Sequence, residues 1–240
     1  MILLHPSFRL EYEPDYRDLL HRLEAAGRTC YKSAPKKSGP EAFVRGLLRK
    51  GHASVIEHVG FTFRLVVDRG VSHELVRARL ASYSQESTRY VDYSGKKTGG
   101  HCQFILPLWL PEIPEGEVFY LQIDDDDPEI LHVGGRTHPI PAIEVASPMG
   151  YRWLLAMAGA ERDYKAFRSN GWSAEQARVV LPHSTKTEVV MTANAREWRT
   201  ILRARTAKDC HPQMLEVMRP LLSCLKGRYP ALFDDIEVAE

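Results

Sequence analysis

Apolar residues along this chain recur mostly at helical spacing, and no strand–helix–strand unit repeats within its 240 residues. Doubly wound sheets and α/β barrels are built by repeating that unit, so both are excluded. The pattern predicts an α+β fold: a helix-rich single domain with a small, mostly antiparallel sheet. No internal repeat or separating linker divides residues 1–240. A chain of this length can bury a full core as one large domain or two merged lobes.

Ile2 to Leu4 reads as a first strand. Asp15 to Ala26 places Tyr16, Leu19, Leu20, Leu23 and Ala26 on one helical face, with Gly27 as its stop. A polar link through Pro35, Lys36, Lys37 and Gly39 leads to a helix near Glu41 to Lys50. Phe61, Phe63, Leu65 and Val67 alternate as in a strand, and Asp68-Arg69-Gly70 turns the chain out of it. Residues 91–146 form an irregular Gly- and Pro-rich insertion, with hairpins expected near Phe104-Ile105-Leu106 and Val118 to Leu121. Its run Asp124 to Asp127 precedes Pro128 and lacks calcium-loop spacing, so it reads as a solvated hairpin tip. A long helix follows from Ser147 to about Phe167, with Pro148 in its first turn. Ser173 caps a short helix that ends before Pro182, and Thr187 to Ala193 reads as a strand. Asn194 then caps a helix to about Ala204, and Pro212 opens a last one through Leu225.

The net charge of +1 excludes a protein that grips nucleic acid over a broad basic surface, so any anion site must be local. No apolar run reaches membrane-spanning length, and Met1 to Pro6 is broken too soon for a secretory signal. Cys30, Cys102, Cys210 and Cys224 are scattered without paired spacing, which predicts a cytoplasmic chain with reduced thiols. Cys210-His211 has no second pair at ligand spacing, so no metal site is expected.

The densest chemistry lies in Ser72 to Tyr90, which holds Arg77, Arg79 and Arg89 among hydroxyl and amide side chains. Its first half reads as a helix and its second half as a polar loop. Arginine forks match phosphate oxygens in pairs, and hydroxyls or loop amides satisfy the remainder, as a nucleotide requires. On a helix Arg77 and Arg79 would point about 200° apart, so they would serve different ligands or different parts of one. Alone, Glu74 with Arg77 would be an ordinary surface pair at i,i+3. Arg178, near a helix end, suits that helix's dipole as well as a ligand. Farther on, Arg196, Arg199 and Arg203 form one stripe, while Arg205 follows the mostly apolar Trp198 and Leu202. That places Arg205 inward, where it needs an anionic or carbonyl partner unless it snorkels out to water.

These three clusters, in this order, resemble the flavin-dependent thymidylate synthase family. The family's signature is Arg-His-Arg, seven residues, then Ser; here it reads Arg77-Ala78-Arg79, seven residues, then Ser87, followed by Thr88-Arg89-Tyr90. Gly51-His52-Ala53-Ser54-Val55-Ile56-Glu57-His58, Leu181-Pro182-His183-Ser184-Thr185-Lys186-Thr187-Glu188 and Asn194-Ala195-Arg196-Glu197-Trp198 match its flanks. Thr29 to Ser33 and His211 to Met214 also fit, and only residues 112–140 are unplaced. The resemblance implies methylation of dUMP to dTMP with 5,10-methylenetetrahydrofolate as carbon donor, FAD as redox carrier and NADPH as reductant. It implies FAD contacts from Ser54, Arg77, Ala78, Arg79, Gln85, Asn194, Ala195, Arg196 and Thr200, with His52 beside flavin or folate. It implies that Glu74, Leu75, Val76, Arg77, Gln85, Glu86, Ser87, Thr88, Arg89, Arg178 and Arg205 surround dUMP. Within that group Arg89 and Arg178 take the phosphate, and Arg205 is the catalytic residue favouring the N3-ionised uracil. It further implies a homotetramer with sites between subunits, and neither nucleic acid nor membrane as partner.

Ala78 departs from the family, which has histidine there, and Thr200 departs where a larger polar residue is common. Ala78 makes an engineered or diverged homologue the alternative, with weakened synthase activity or a related flavin reaction on a pyrimidine nucleotide, such as hydroxymethylation. A non-catalytic nucleotide or RNA binder is the rival from another class, and the near-neutral charge counts against extended RNA.

Overall fold

The computed structural model describes residues 1–111, 119–120, 130–133, 136–139 and 147–237; the Asp124 to Asp127 run lies outside them. The described strands are β1 (Ile2–Leu4), β2 (Ser7–Tyr12), β3 (Gly60–Asp68), β4 (Ala81–Gln85), β5 (Gln103–Ile105), β6 (Phe119–Tyr120), β7 (Ile130–Val133), β8 (Arg136–Pro139) and β9 (Lys186–Asn194). The described α-helices are α1 (Tyr16–Thr29), α2 (Gly39–Arg49), α3 (Arg69–Leu75), α4 (Pro148–Ser169), α5 (Ala174–Ala177), α6 (Ala195–Arg205), α7 (Pro212–Arg228) and α8 (Pro230–Phe233). The fold is α+β and helix-rich, with sheets of order β1-β5, β2-β3-β9-β4 and β6-β7-β8. No described helix is long and apolar enough to cross a membrane.

The chain gathers into two compact units. The first joins Met1–Ser7, Val66–Glu74 and Gln85–Glu188; the second joins Phe8–Leu65, Leu75–Ser84 and Val189–Glu240.

In the first unit β5 lies parallel to β1, with Leu3 opposite Phe104. The expected hairpin at Phe104-Ile105-Leu106 is therefore replaced by a pairing distant in sequence. Leu3 and Phe104 enter one core with Leu106, Leu154, Met157 and Tyr164, and the parallel pairing sets them side by side there. The β6-β7-β8 sheet is antiparallel, with Tyr120 opposite His132 and Leu131 opposite His138. Helix α4 starts as expected: Ser147 Oγ accepts from the Gly150 N–H at 3.1 Å. Ser173 and Gln176 close a reciprocal capping box on α5.

The second unit buries Phe61 and Phe63 of β3 against other aromatics, with ring centroids 4.9 Å apart for Phe63 and Trp198 and 4.7 Å for Phe61 and Tyr229. Strand β2 has no counterpart among the expected elements, and Phe8 on it packs edge-on against Phe63. Gly27 does not stop α1, which runs on to Thr29. A Cβ at Gly27 would lie 2.8 Å from the Phe43 ring, so this glycine lets α2 approach α1. After α7, which reaches Arg228, α8 adds a turn that buries Leu232 and Phe233.

Candidate active site

The segment Ser72 to Tyr90 is built differently from its apolar spacing. Helix α3 ends at Leu75, so Arg77 and Arg79 sit in the turn beyond it and the 200° argument does not apply. Leu75 is buried, and its carbonyl accepts both the Ala78 N–H (3.1 Å) and the Tyr83 hydroxyl (2.8 Å). Residues expected as loop, Ala81 to Gln85, form β4. Arg77 and Arg79 are exposed and have no side-chain partner among the described residues.

In the second unit an open cavity of about 550 Å³ lies at the ends of β3, β4 and β9, within the roughly 300–1,000 Å³ typical of cofactor sites. Arg79, Asn194, Glu57, His58, Ser82 and Thr192 line it, with Gly60 at the start of β3. A Cβ at Gly60 would stand 3.1 Å from the Ala193 carbonyl, so glycine keeps that wall thin. Helix α6 is anchored beside it: the Ala195 N–H donates to Val59 O (2.8 Å) and Trp198 Nε1 to Phe61 O (3.1 Å). Asn194 caps α6 by accepting the Glu197 N–H at 2.8 Å. At the rim, Arg196 pairs with Glu57 at 2.6 Å. An unpartnered arginine, a lining asparagine and a mixed polar wall fit a bulky, anionic, ring-bearing group such as FAD. Ser54 and His52 are exposed on and just before the 3-10 helix Ala53–His58, and neither lines the cavity. Ala195 is fully buried, and Thr200 spends its hydroxyl on the Arg196 carbonyl (3.2 Å). Arg205, at the end of α6, is half-buried, and its charge acts on the Tyr83 hydroxyl.

Arg199 is the inward arginine of α6, contrary to the stripe reading. It is 4% exposed, forks onto Asp235 at 2.6 and 2.5 Å, and donates to Leu232 O. The partner lies beyond α8, which spacing within α6 cannot reveal.

In the first unit Gln85 to Arg89 is held on several sides. Gln85 Nε2 donates to Ser72 Oγ (3.0 Å) and Thr187 Oγ1 (3.2 Å). Glu86 accepts from the Tyr93 hydroxyl (2.7 Å) and from Lys186 Nζ (2.8 Å), which also reaches Glu188 at 2.9 Å. Burial, with the Glu86 carboxylate beside it, raises the Tyr93 hydroxyl far above its usual range. Ser87 accepts the Arg89 N–H on Oγ (3.2 Å), shaping the turn. Arg178 donates to Thr88 Oγ1 (3.3 Å) while Arg89 pairs with Glu175 at 2.7 Å, so the two expected phosphate arginines meet at one turn. Glu74 and Val76 lie at the end of α3 and just past it. Lys186, Glu175, Tyr93, Glu57, His58 and Tyr83 were not among the expected site residues; Lys186, Glu57, His58 and Tyr83 stand inside the matched stretches, Glu175 and Tyr93 do not.

A family model described as thymidylate synthase complementing protein matches residues 15–231. The chain belongs to the flavin-dependent thymidylate synthase family. A flavin-dependent thymidylate synthase from Mycobacterium avium is 31% identical over 227 residues, spanning 90% of this chain and 79% of that protein. The one from Mycobacterium tuberculosis is 30% identical over 226 residues, with the same coverage. The UMP/dUMP methylase PolB from Streptomyces cacaoi, solved with 5-Br dUMP, shares the fold at a TM-score of 0.66 and 22% identity, covering 98% of this chain and 96% of that one. The family assignment thus rests on sequence over most of the chain, and this member is an enzyme of the methyltransferase type.

Proposed function

We propose that this enzyme methylates dUMP to dTMP, with 5,10-methylenetetrahydrofolate giving the carbon and NADPH the reducing equivalents through FAD. The observation that carries this reading is the state of the signature arginines. Arg79 stands on a cofactor-sized cavity with no side-chain partner among the described residues, and Arg89 and Arg178 converge on one turn. The relatives' shared name, flavin-dependent thymidylate synthase, supports it.

In the balanced reaction dUMP, 5,10-methylenetetrahydrofolate, NADPH and one proton give dTMP, tetrahydrofolate and NADP+: the C5 proton leaves to solvent, the folate methylene and the hydride make up the methyl group, and the folate nitrogens take up two protons. Bound flavin supplies the redox chemistry that side chains lack. Arg89 and Arg178 bind the phosphate with charge-assisted hydrogen bonds, Arg89 exchanging Glu175 for it. Lys186 and Tyr93 hold Glu86, and so fix the stretch that presents Ser87 and Thr88. Arg205 stabilises negative charge on the uracil as N3 ionises, which makes C5 the better nucleophile. Cys102, the one cysteine of the unit carrying Gln85 to Arg89, is buried, and burial pushes its thiol up to about 12. It stays protonated at neutral pH and does not serve as a C6 nucleophile.

Ala78 favours a second reading, since a methyl group stands where the family carries an imidazole: a slow synthase, or a related flavin reaction on the same nucleotide. Purified protein mixed with dUMP, FAD, NADPH and 5,10-methylenetetrahydrofolate should form dTMP, seen by chromatography with mass detection. A 5-substituted product other than dTMP selects the second reading. A protein that binds neither FAD nor dUMP overturns both. We also assign it the family's homotetramer, to be read by light scattering.

A further inference from the structure

Tyr83, half-buried in the second unit, is a titratable group that the reaction above leaves unused. Its single hydroxyl proton is shared between the Leu75 and Ala78 carbonyls, each 2.8 Å away, spanning the turn that carries Arg77 and Arg79. The Ala78 N–H also returns to Leu75 O at 3.1 Å. Leu75 O is one of the open carbonyls at the end of α3, so the tyrosine both closes the helix and ties the next strand to the turn. Burial, with Glu197 nearby, pushes the hydroxyl up to about 12, so it remains a donor at every working pH. Ala78 has no side chain able to hold the turn, and Arg77 and Arg79 have no partner among the described residues.

We propose that Tyr83 is a positioning residue for FAD binding, clamping the Arg77–Arg79 turn so that both guanidinium groups are presented ready-ordered to the cofactor's anionic groups. The inference rests on the assignment of FAD to this cavity. Pre-ordering spares the loss of side-chain and loop freedom on binding. The clamp matters most in a chain whose central signature position is alanine.

The test is Tyr83→Phe, which keeps the ring and removes the donor. FAD affinity, read by flavin fluorescence, should weaken about tenfold, roughly the loss of one net hydrogen bond. Affinity for dUMP, read by calorimetry, should hold within about twofold. With Arg77→Ala and Arg79→Ala already in place, adding Tyr83→Phe should cost no further FAD affinity. Unchanged FAD affinity in the single variant overturns the proposal, as does an equal loss in the arginine-free background. Should Tyr83→Phe fail to fold, proton NMR on the unaltered protein reads the clamp: the Tyr83 hydroxyl proton should exchange slowly with water without FAD, and a hydroxyl in fast exchange refutes it. If the unaltered protein binds no FAD, the assignment of the cavity fails, while the Tyr83 hydroxyl proton still reports whether the clamp exists.

Discussion

Replacing Arg178 by alanine separates binding from folding more cleanly than any other change at the candidate site. Arg178 is exposed and gives a single long hydrogen bond, 3.3 Å to Thr88 Oγ1, while its backbone closes the turn at the end of α5 regardless of side chain. The substitution should therefore leave thermal stability nearly unchanged, as exposed changes usually do within about 0.5 kcal/mol. A charge-assisted contact to a phosphate contributes about 1.5–3 kcal/mol, which converts to a dUMP dissociation constant raised roughly 10- to 150-fold. Calorimetry at about 0.05 and 0.5 M NaCl should show the gap narrowing with salt, because screening weakens the intact pair most. Deoxyuridine, which lacks the phosphate, should bind both proteins alike. A variant that melts like the unaltered protein and binds dUMP within about twofold of it would refute the placement of the phosphate at Arg178.

Glu175→Gln releases Arg89 from its 2.7 Å partner and should tighten dUMP binding a few-fold at low salt, read by the same titration. Lys186→Met removes the ammonium that holds Glu86 and Glu188; dUMP affinity should fall about tenfold while FAD binding, read by fluorescence, is kept. Asp92 is held well below the usual carboxylate range by the Arg168 guanidinium, 2.8 Å away. A depressed carboxyl contributes stability that is full above its unfolded value near 3.9 and is lost as pH falls through the folded value. Melting curves between about pH 2 and 5 should thus steepen their decline, and Asp92→Asn should flatten it.

Elements whose ends are marked by local chemistry were legible in the sequence: Ser147 with Pro148, Ser173 with Gln176, and Asn194 with Glu197 each announce a helix start through a cap. The alternation in Phe61 to Val67 likewise announces β3. What stayed hidden depends on partners far along the chain. The first half of Ser72 to Tyr90 reads as a helix, yet α3 stops at Leu75, whose carbonyl meets the Tyr83 hydroxyl instead of a further helical turn. Arg199 read only as one of the Arg196–Arg199–Arg203 stripe because its partner Asp235 lies on a separate turn. Gly27 resembled a stop because glycine ends many helices, but Phe43 needs its missing side chain. At the site, the arginines were legible as chemistry and through the signature Arg77-Ala78-Arg79 to Ser87. Glu175, which occupies Arg89, Lys186, which holds Glu86, and Tyr83, which ties the Arg77–Arg79 turn, became visible only once the strands and turns were assembled.

Release of tritium from 5-tritiated dUMP tests the central claim most directly, since C5 must lose its hydrogen if a carbon is to be attached there. With FAD, NADPH and 5,10-methylenetetrahydrofolate the unaltered enzyme should release tritium into water, Arg205→Ala should abolish release, and Ala78→His should raise it. Protein carrying both FAD and dUMP that releases no tritium, with Ala78→His equally silent, would contradict the account.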